Sequence, residues 1–220
     1  MKLNVVNSSN EVGIAALPAA ERKPFRLAEV KRDFPGGVTR RTHETATANY
    51  GYINRIQIED DVGPVPPTYM AKANDLIVAG RRHPVGRKAS KVPAGRLLWD
   101  HADAKASTDS RNEAAAIHIV LSLPDLPQER WEDYTTDFID HELTSLGMVV
   151  DYAIHAVHDG NGGWLVSPHV HCLATSRRWK PDQQRGRRMK QWLASKAQID
   201  ALEESWLSRT GLKRRPIVHP

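Results

Sequence analysis

His169 and His171 stand either side of one apolar residue in Ser167-Pro168-His169-Val170-His171-Cys172-Leu173. On a β-strand alternate side chains share a face, so the two imidazoles point one way and Val170 the other. Adjacent imidazoles are what a divalent-cation site requires. A third, His155, lies 14 residues before His169, in Val150-Asp151-Tyr152-Ala153-Ile154-His155-Ala156. If the two stretches pair as a hairpin, His155 folds back beside the others, because cross-strand neighbours stand about 5 Å apart at Cβ. Imidazole suits zinc, copper, iron and nickel; manganese or magnesium could bind if a substrate phosphate completes the shell. His158 competes for the third position but falls nearer the turn, and Cys172 alternates to the opposite face as a core thiol.

The elements around these residues are legible in outline. Asp159-Gly160-Asn161-Gly162-Gly163 is a strong hairpin turn between a strand over 148–157 and one over 164–175. Residues 128–146 carry Trp131, Tyr134, Phe138, Leu143 and Leu146 at helical spacing, and Gly147 follows as a stop. Residues 117–123 read as a strand ended by Pro124, and Phe25 to Val30 as a first strand. Helices are expected over 42–55, 97–115 and 187–207, with a short one over 68–79 inside a Pro- and Gly-rich loop. The pattern predicts an α+β fold, a central antiparallel sheet carrying the His-x-His strand and covered by helices.

The chain has 220 residues, 40% hydrophobic and 26% charged, enough for one compact domain with tails. A domain over 25–210 is expected, between a flexible N-terminal tail (1–24) and a C-terminal tail (211–220). Lys and Arg number 31 against 26 Asp and Glu, a formal charge of +5, which is compatible with a polyanionic partner. The basic residues cluster at Arg81, Arg82, Arg87 and Lys88, and again at Arg177, Arg178, Lys180, Arg187 and Arg188. Single-stranded DNA would be gripped by such clusters through its phosphates, with Trp179 and Trp192 available to stack on bases. One cysteine excludes an intrachain disulfide and suits a reducing compartment. The N-terminus lacks a signal-peptide core, and no run approaches the roughly 20 apolar residues of a membrane span, so a cytoplasmic protein without membrane insertion is expected.

Four segments, in order, make the chain resemble a MobA/MobL-type relaxase of the HUH endonuclease superfamily. The first is Thr45-Ala46-Thr47-Ala48-Asn49-Tyr50-Gly51-Tyr52-Ile53-Asn54-Arg55. The second is Leu98-Trp99-Asp100, followed by Arg111-Asn112 and Leu121-Ser122-Leu123-Pro124. The third is Ala153-Ile154-His155, and the fourth Pro168-His169-Val170-His171. The resemblance implies a DNA-nicking enzyme that starts plasmid mobilisation or conjugative transfer. By position, Tyr52 matches its nucleophile, with Tyr50 as rival, and His155, His169 and His171 match the ligands of a divalent ion, with Mg, Mn and Zn not distinguished. It further implies a 5′-phosphotyrosine intermediate, a single-stranded origin-of-transfer substrate and accessory proteins of a relaxosome. One departure stands out: where the family usually has a glutamate, six residues past the position of Asn112, this chain has His118. Strand alternation aims it either at the site, as an extra ligand or a base, or at solvent. The alternatives are a rolling-circle replication initiator, disfavoured because the tyrosine precedes the histidines, and a non-catalytic DNA-binding protein with a degenerate site.

Overall fold

The computed structural model describes residues 24–31, 44–60, 63–64, 72–84, 92–109, 113–123, 127–178 and 195–214. In chain order the elements are β1 (Phe25–Lys31), α1 (Ala46–Asn54), the two-residue strands β2 (Glu59–Asp60) and β3 (Gly63–Pro64), β4 (Leu76–Arg82), α2 (Leu97–Asp109), β5 (Ala114–Ser122), α3 (Trp131–Phe138), β6 (Val150–His158), β7 (Trp164–Thr175) and α4 (Lys196–Thr210). Five strands form one antiparallel sheet in the order β1-β5-β7-β6-β4. The expected α+β arrangement is thus present, with the His-x-His strand at the centre of the sheet.

Both faces are covered, so the central strands are apolar on both sides. Ile119, Leu121, Ile154, Val170 and Cys172 face Trp131 and Phe138 of α3 and its extension, and Trp206 of α4. On the other face Ala116, Ala153 and Leu173 meet Ile53 of α1 and Leu98 and Trp99 of α2. Fully buried side chains such as Leu121 and Phe138 each stabilise the fold by about 1.5–3 kcal/mol through removal from water. The indole N–H of Trp206 donates to the Ser122 carbonyl at 3.0 Å, so this tryptophan buries no unpaired donor.

Helix α1 is short, and its ends are pinned by polar contacts. The Thr45 hydroxyl accepts from the Ala48 amide at 2.9 Å as N-cap. Asp103 of α2 accepts from the amides of Ala46 and Thr47 at 2.8 and 2.9 Å, setting a carboxylate on the positive end of the helix. Gly51 costs helix propensity but permits a close approach: a Cβ there would stand 2.6 Å from the Ile58 Cγ2. The helix stops at Arg55, which takes a left-handed φ of 55°.

Several sequence expectations are corrected. Of the helix expected over 68–79, residues 72–75 form a short 3₁₀ turn, and from Leu76 the chain is the edge strand β4; Leu76 and Val78 are half-buried while Ile77 and Ala79 are exposed, an alternation of period two that pairing with β6 enforces. The helix expected over 97–115 ends at Asp109, and Ala114 to Ala116 begin β5, because small side chains there fit beneath the helices. The helix expected over 42–55 starts only after the Thr45 cap. α4 begins at the Ser195 cap and not at 187, and residues 187–194 lie outside the described residues. The strand over 164–175 has the expected bounds. The tails over 1–23 and 215–220 lie outside the described residues. No helix among the described residues is long and apolar enough to cross a membrane.

Candidate active site

Three neighbouring strands bring the histidines to one sheet face, the face that α1 and α2 cover. His155 of β6 lies directly opposite His169 of β7, and Ala153 opposite His171. The register shifts just beyond this pair, where Val157 faces Val166, so β7 carries one extra residue there and is the bulged strand. The ring centroids of His155, His169 and His171 are 4.9–5.5 Å apart. His118 of β5 lies on the same face: its Nε2 is 2.9 Å from His171 Nδ1, so of the two orientations open to it the strand takes the one toward the site.

Helix α1 crosses above this cluster. The Tyr52 ring lies 5.2 Å from that of His171 and 6.5 Å from that of His118, both edge-on. Tyr50 is two residues earlier, about 200° around the helix axis, and lines a separate cleft with Arg81, Gly95 and Asp151. Burial and the Asp151 carboxylate raise the Tyr50 phenol above its ordinary pKa, against the opposing charge of Arg81.

A buried ionic group ties the helix to the histidines. Arg55 donates from Nε and Nη2 to the two oxygens of Asp75, both at 2.8 Å, and from Nη1 to the Tyr52 carbonyl at 2.7 Å. Its guanidinium carbon lies 4.6 Å from the Tyr52 ring centroid. Asp75 also faces His155 Nδ1 at 2.7 Å, while His155 Nε2 faces the Ile53 carbonyl at 2.9 Å. Burial pushes the Asp75 carboxyl up, but the hydrogen bonds and charges of His155 and Arg55 outweigh it and hold the group well below the usual carboxylate range. Asp75 and Arg55 were not singled out from sequence. Arg55 closes the tyrosine motif, which is a signal; Asp75 sits in no motif and has none.

The donor set fits an imidazole-bound divalent ion. His169 Nδ1 donates to the Ser167 carbonyl at 2.7 Å, which leaves the lone pair on Nε2. His171 Nε2 is buried with no hydrogen-bond partner among the described residues. Burial, then the charges of His118 and His169, keep His171 well below its ordinary pKa and therefore neutral. The Asp75–His155 contact is the carboxylate–histidine pairing that orients metal ligands. The match is one of donor chemistry: among the described residues no group of three or more His, Cys, Asp or Glu side chains is arranged to hold a metal ion. Both partners of His155 are acceptors, so ligation requires its Nε2 to leave the Ile53 carbonyl.

The described basic residues are dispersed. Arg81 binds both oxygens of Asp151 and the carbonyls of Pro93 and Gly95. Arg82 pairs with Asp140 of the helical segment after α3, on the sheet face opposite the histidines. Arg177 pairs with Glu113 at 3.1 Å, and Arg178 donates to the Leu146 carbonyl. Both follow the end of β7 remote from His169. Arg87, Lys88, Lys180, Arg187 and Arg188, with Trp179 and Trp192, lie outside the described residues.

Comparison with known proteins gives two findings. The sequence profile of the MobA/MobL family matches residues 45–214, from the cap of α1 to beyond α4. A solved structure described as "Molecular Basis of Vancomycin Resistance Transfer in Staphylococcus aureus" shares the fold, with a TM-score of 0.60 and 18% identity, covering 84% of this chain and 89% of that one. No curated protein matches the sequence.

Proposed function

This chain belongs to the MobA/MobL family, and on that premise we propose that it is a conjugative DNA relaxase that nicks one strand through Tyr52. The observation that carries this reading is the Tyr52 ring 5.2 Å from His171, over three histidines on one sheet face.

In the proposed step the Tyr52 oxygen attacks the scissile phosphorus of a single-stranded origin of transfer. A bond forms from that oxygen to phosphorus, and the bond from phosphorus to the 3′ oxygen breaks. The tyrosine loses its proton, the departing 3′ oxygen gains one, and the products are a 5′-phosphotyrosine and a 3′-hydroxyl. One ester replaces another, so the strand can be rejoined without an energy source. A phenol of ordinary pKa near 10 attacks slowly unless its proton is accepted, and His118, whose ring lies 6.5 Å from that of Tyr52 and which is not one of the three proposed ligands, would take it once its Nε2 is released from His171 Nδ1. Arg55 holds the ring and carbonyl of Tyr52 while fixing Asp75. His155, His169 and His171 would hold the divalent ion, which when bound neutralises and orients the phosphate.

The test is an adduct assay. Protein, divalent ion and labelled single-stranded origin DNA are expected to give a covalent complex that Tyr52→Phe abolishes and His169→Ala strongly reduces. A binding-only protein is the second reading, favoured by the Ile53 carbonyl that occupies His155 Nε2. Retention of DNA with no adduct under any divalent ion would establish it and defeat the nickase.

A further inference from the structure

On the far side of α1 from Tyr52, a cleft of about 540 Å³ opens between the helix, β4 and the loop before α2. Its volume lies within the roughly 300–1,000 Å³ of small-ligand pockets. Its walls are Tyr50, Asn54, Ala79, His83, Ala94 and Gly95. Asp151 in its floor is four residues before His155 on β6, a separation of about 13 Å along the strand. The cleft and the histidine cluster therefore flank one short helix on one sheet face, close enough for a single extended DNA strand to reach both.

The lining decides what fits. Among the described residues the charges in it oppose each other: Arg81 grips both oxygens of Asp151 at 2.5 and 2.6 Å and two backbone carbonyls, and Asp151 also accepts from the Trp99 indole at 2.7 Å. Among the described residues a phosphate would find no uncommitted cation there. His83 offers Nδ1, a buried polar atom without a partner among the described residues. Burial and the Arg81 charge lower the His83 pKa, so the ring is a neutral donor or acceptor. The Tyr50 phenol adds an aromatic face, and the small side chains of Ala79 and Ala94 keep the space open.

Resting on the relaxase reading, we infer that this cleft takes one unpaired nucleobase of the bound strand, stacked on Tyr50 and hydrogen-bonded to His83. It selects the base by its edge and so sets where the scissile phosphate falls. Tyr50 then serves recognition while Tyr52 serves chemistry.

The test uses a randomised single-stranded oligonucleotide pool, sequenced after capture by the full-length chain. Wild type is expected to enrich one base at a fixed position, about 10-fold over the others, as expected for one stacked and hydrogen-bonded base. His83→Ala and the space-filling Ala79→Trp are expected to lose that preference and keep the rest of the enriched sequence. Enrichment of no base by wild type, or the same preference in both variants, would overturn the inference. Capture reads binding alone, so failure of the nickase proposal shows separately, as absence of the Tyr52 adduct. Retained far-ultraviolet dichroism and retained enrichment at the other positions certify that the variants are folded.

Discussion

Arg55 and Asp75 meet as a two-pronged ion pair, side chains 3% and 4% exposed, at the point where the tyrosine helix touches the histidine strand. Such a pair returns little net stability when whole, but breaking it strands a charge in a poorly solvated place. Asp75→Ala is expected to destabilise the fold by about 3–5 kcal/mol in urea titration, and the Arg55→Met, Asp75→Leu double variant by less than the sum of its singles. Strict additivity would show that the two residues act independently.

Tyr50 and Tyr52 should separate cleanly. Tyr52→Phe removes the hydroxyl from the ring that lies 5.2 Å from His171 and is expected to abolish adduct formation while leaving strand affinity within about twofold, because one hydroxyl among many strand contacts contributes little. Tyr50→Phe keeps the adduct. Loss of adduct in Tyr50→Phe alone would transfer the nucleophile to Tyr50.

Ligand loading should register in stability without any DNA. A divalent ion held at about 100 times its Kd is expected to raise the unfolding free energy by about 2.7 kcal/mol, a gain reversed by chelator and lost in His169→Ala and His171→Ala. Differential scanning fluorimetry over zinc, manganese and magnesium measures it. An equal rise in wild type and both variants would place any bound ion elsewhere.

Alkaline pH tests the buried face. Burial alone raises the Cys172 thiol, and burial together with the Glu132 carboxylate raises the Tyr152 phenol. Each group holds its proton more tightly in the folded chain, so the unfolded chain ionises first. Their contribution is complete below about pH 9 and is lost as pH rises beyond it. Unfolding free energy from urea titration is expected to fall from there upward, and Cys172 to react with a thiol reagent only as fast as the chain opens. Prompt reaction of the thiol at neutral pH would contradict its burial.

Legibility in the sequence followed how local each signal was. The strand over 164–175 and its turn were readable because alternation and Asp159-Gly160-Asn161-Gly162-Gly163 are contiguous. β4 was misread as helix because an edge strand with exposed Ile77 has no clean alternation of residue types, and its partner β6 lies about 70 residues away. His155, His169 and His171 could be grouped because a short hairpin joins them. Asp75 could not, since its contacts with Arg55 and His155 span 20 and 80 residues and no pattern announces them. The commitment of Arg81 to Asp151, 70 residues away, was equally hidden.

The turn after β6 is closed by Asp159 Oδ1, which accepts from the Asn161 and Gly163 amides, with Gly160 and Gly162 at positive φ. Surface loops ordinarily absorb insertions and deletions with little consequence. This one works as a ruler, because it sets which residue of the outgoing strand faces which residue of the returning one. A single residue gained or lost there would slide one arm past the other and turn a ligand to the wrong side. Relatives that keep this chemistry should therefore hold the length of that exposed loop, along with the residue that closes it and the glycines at positive φ.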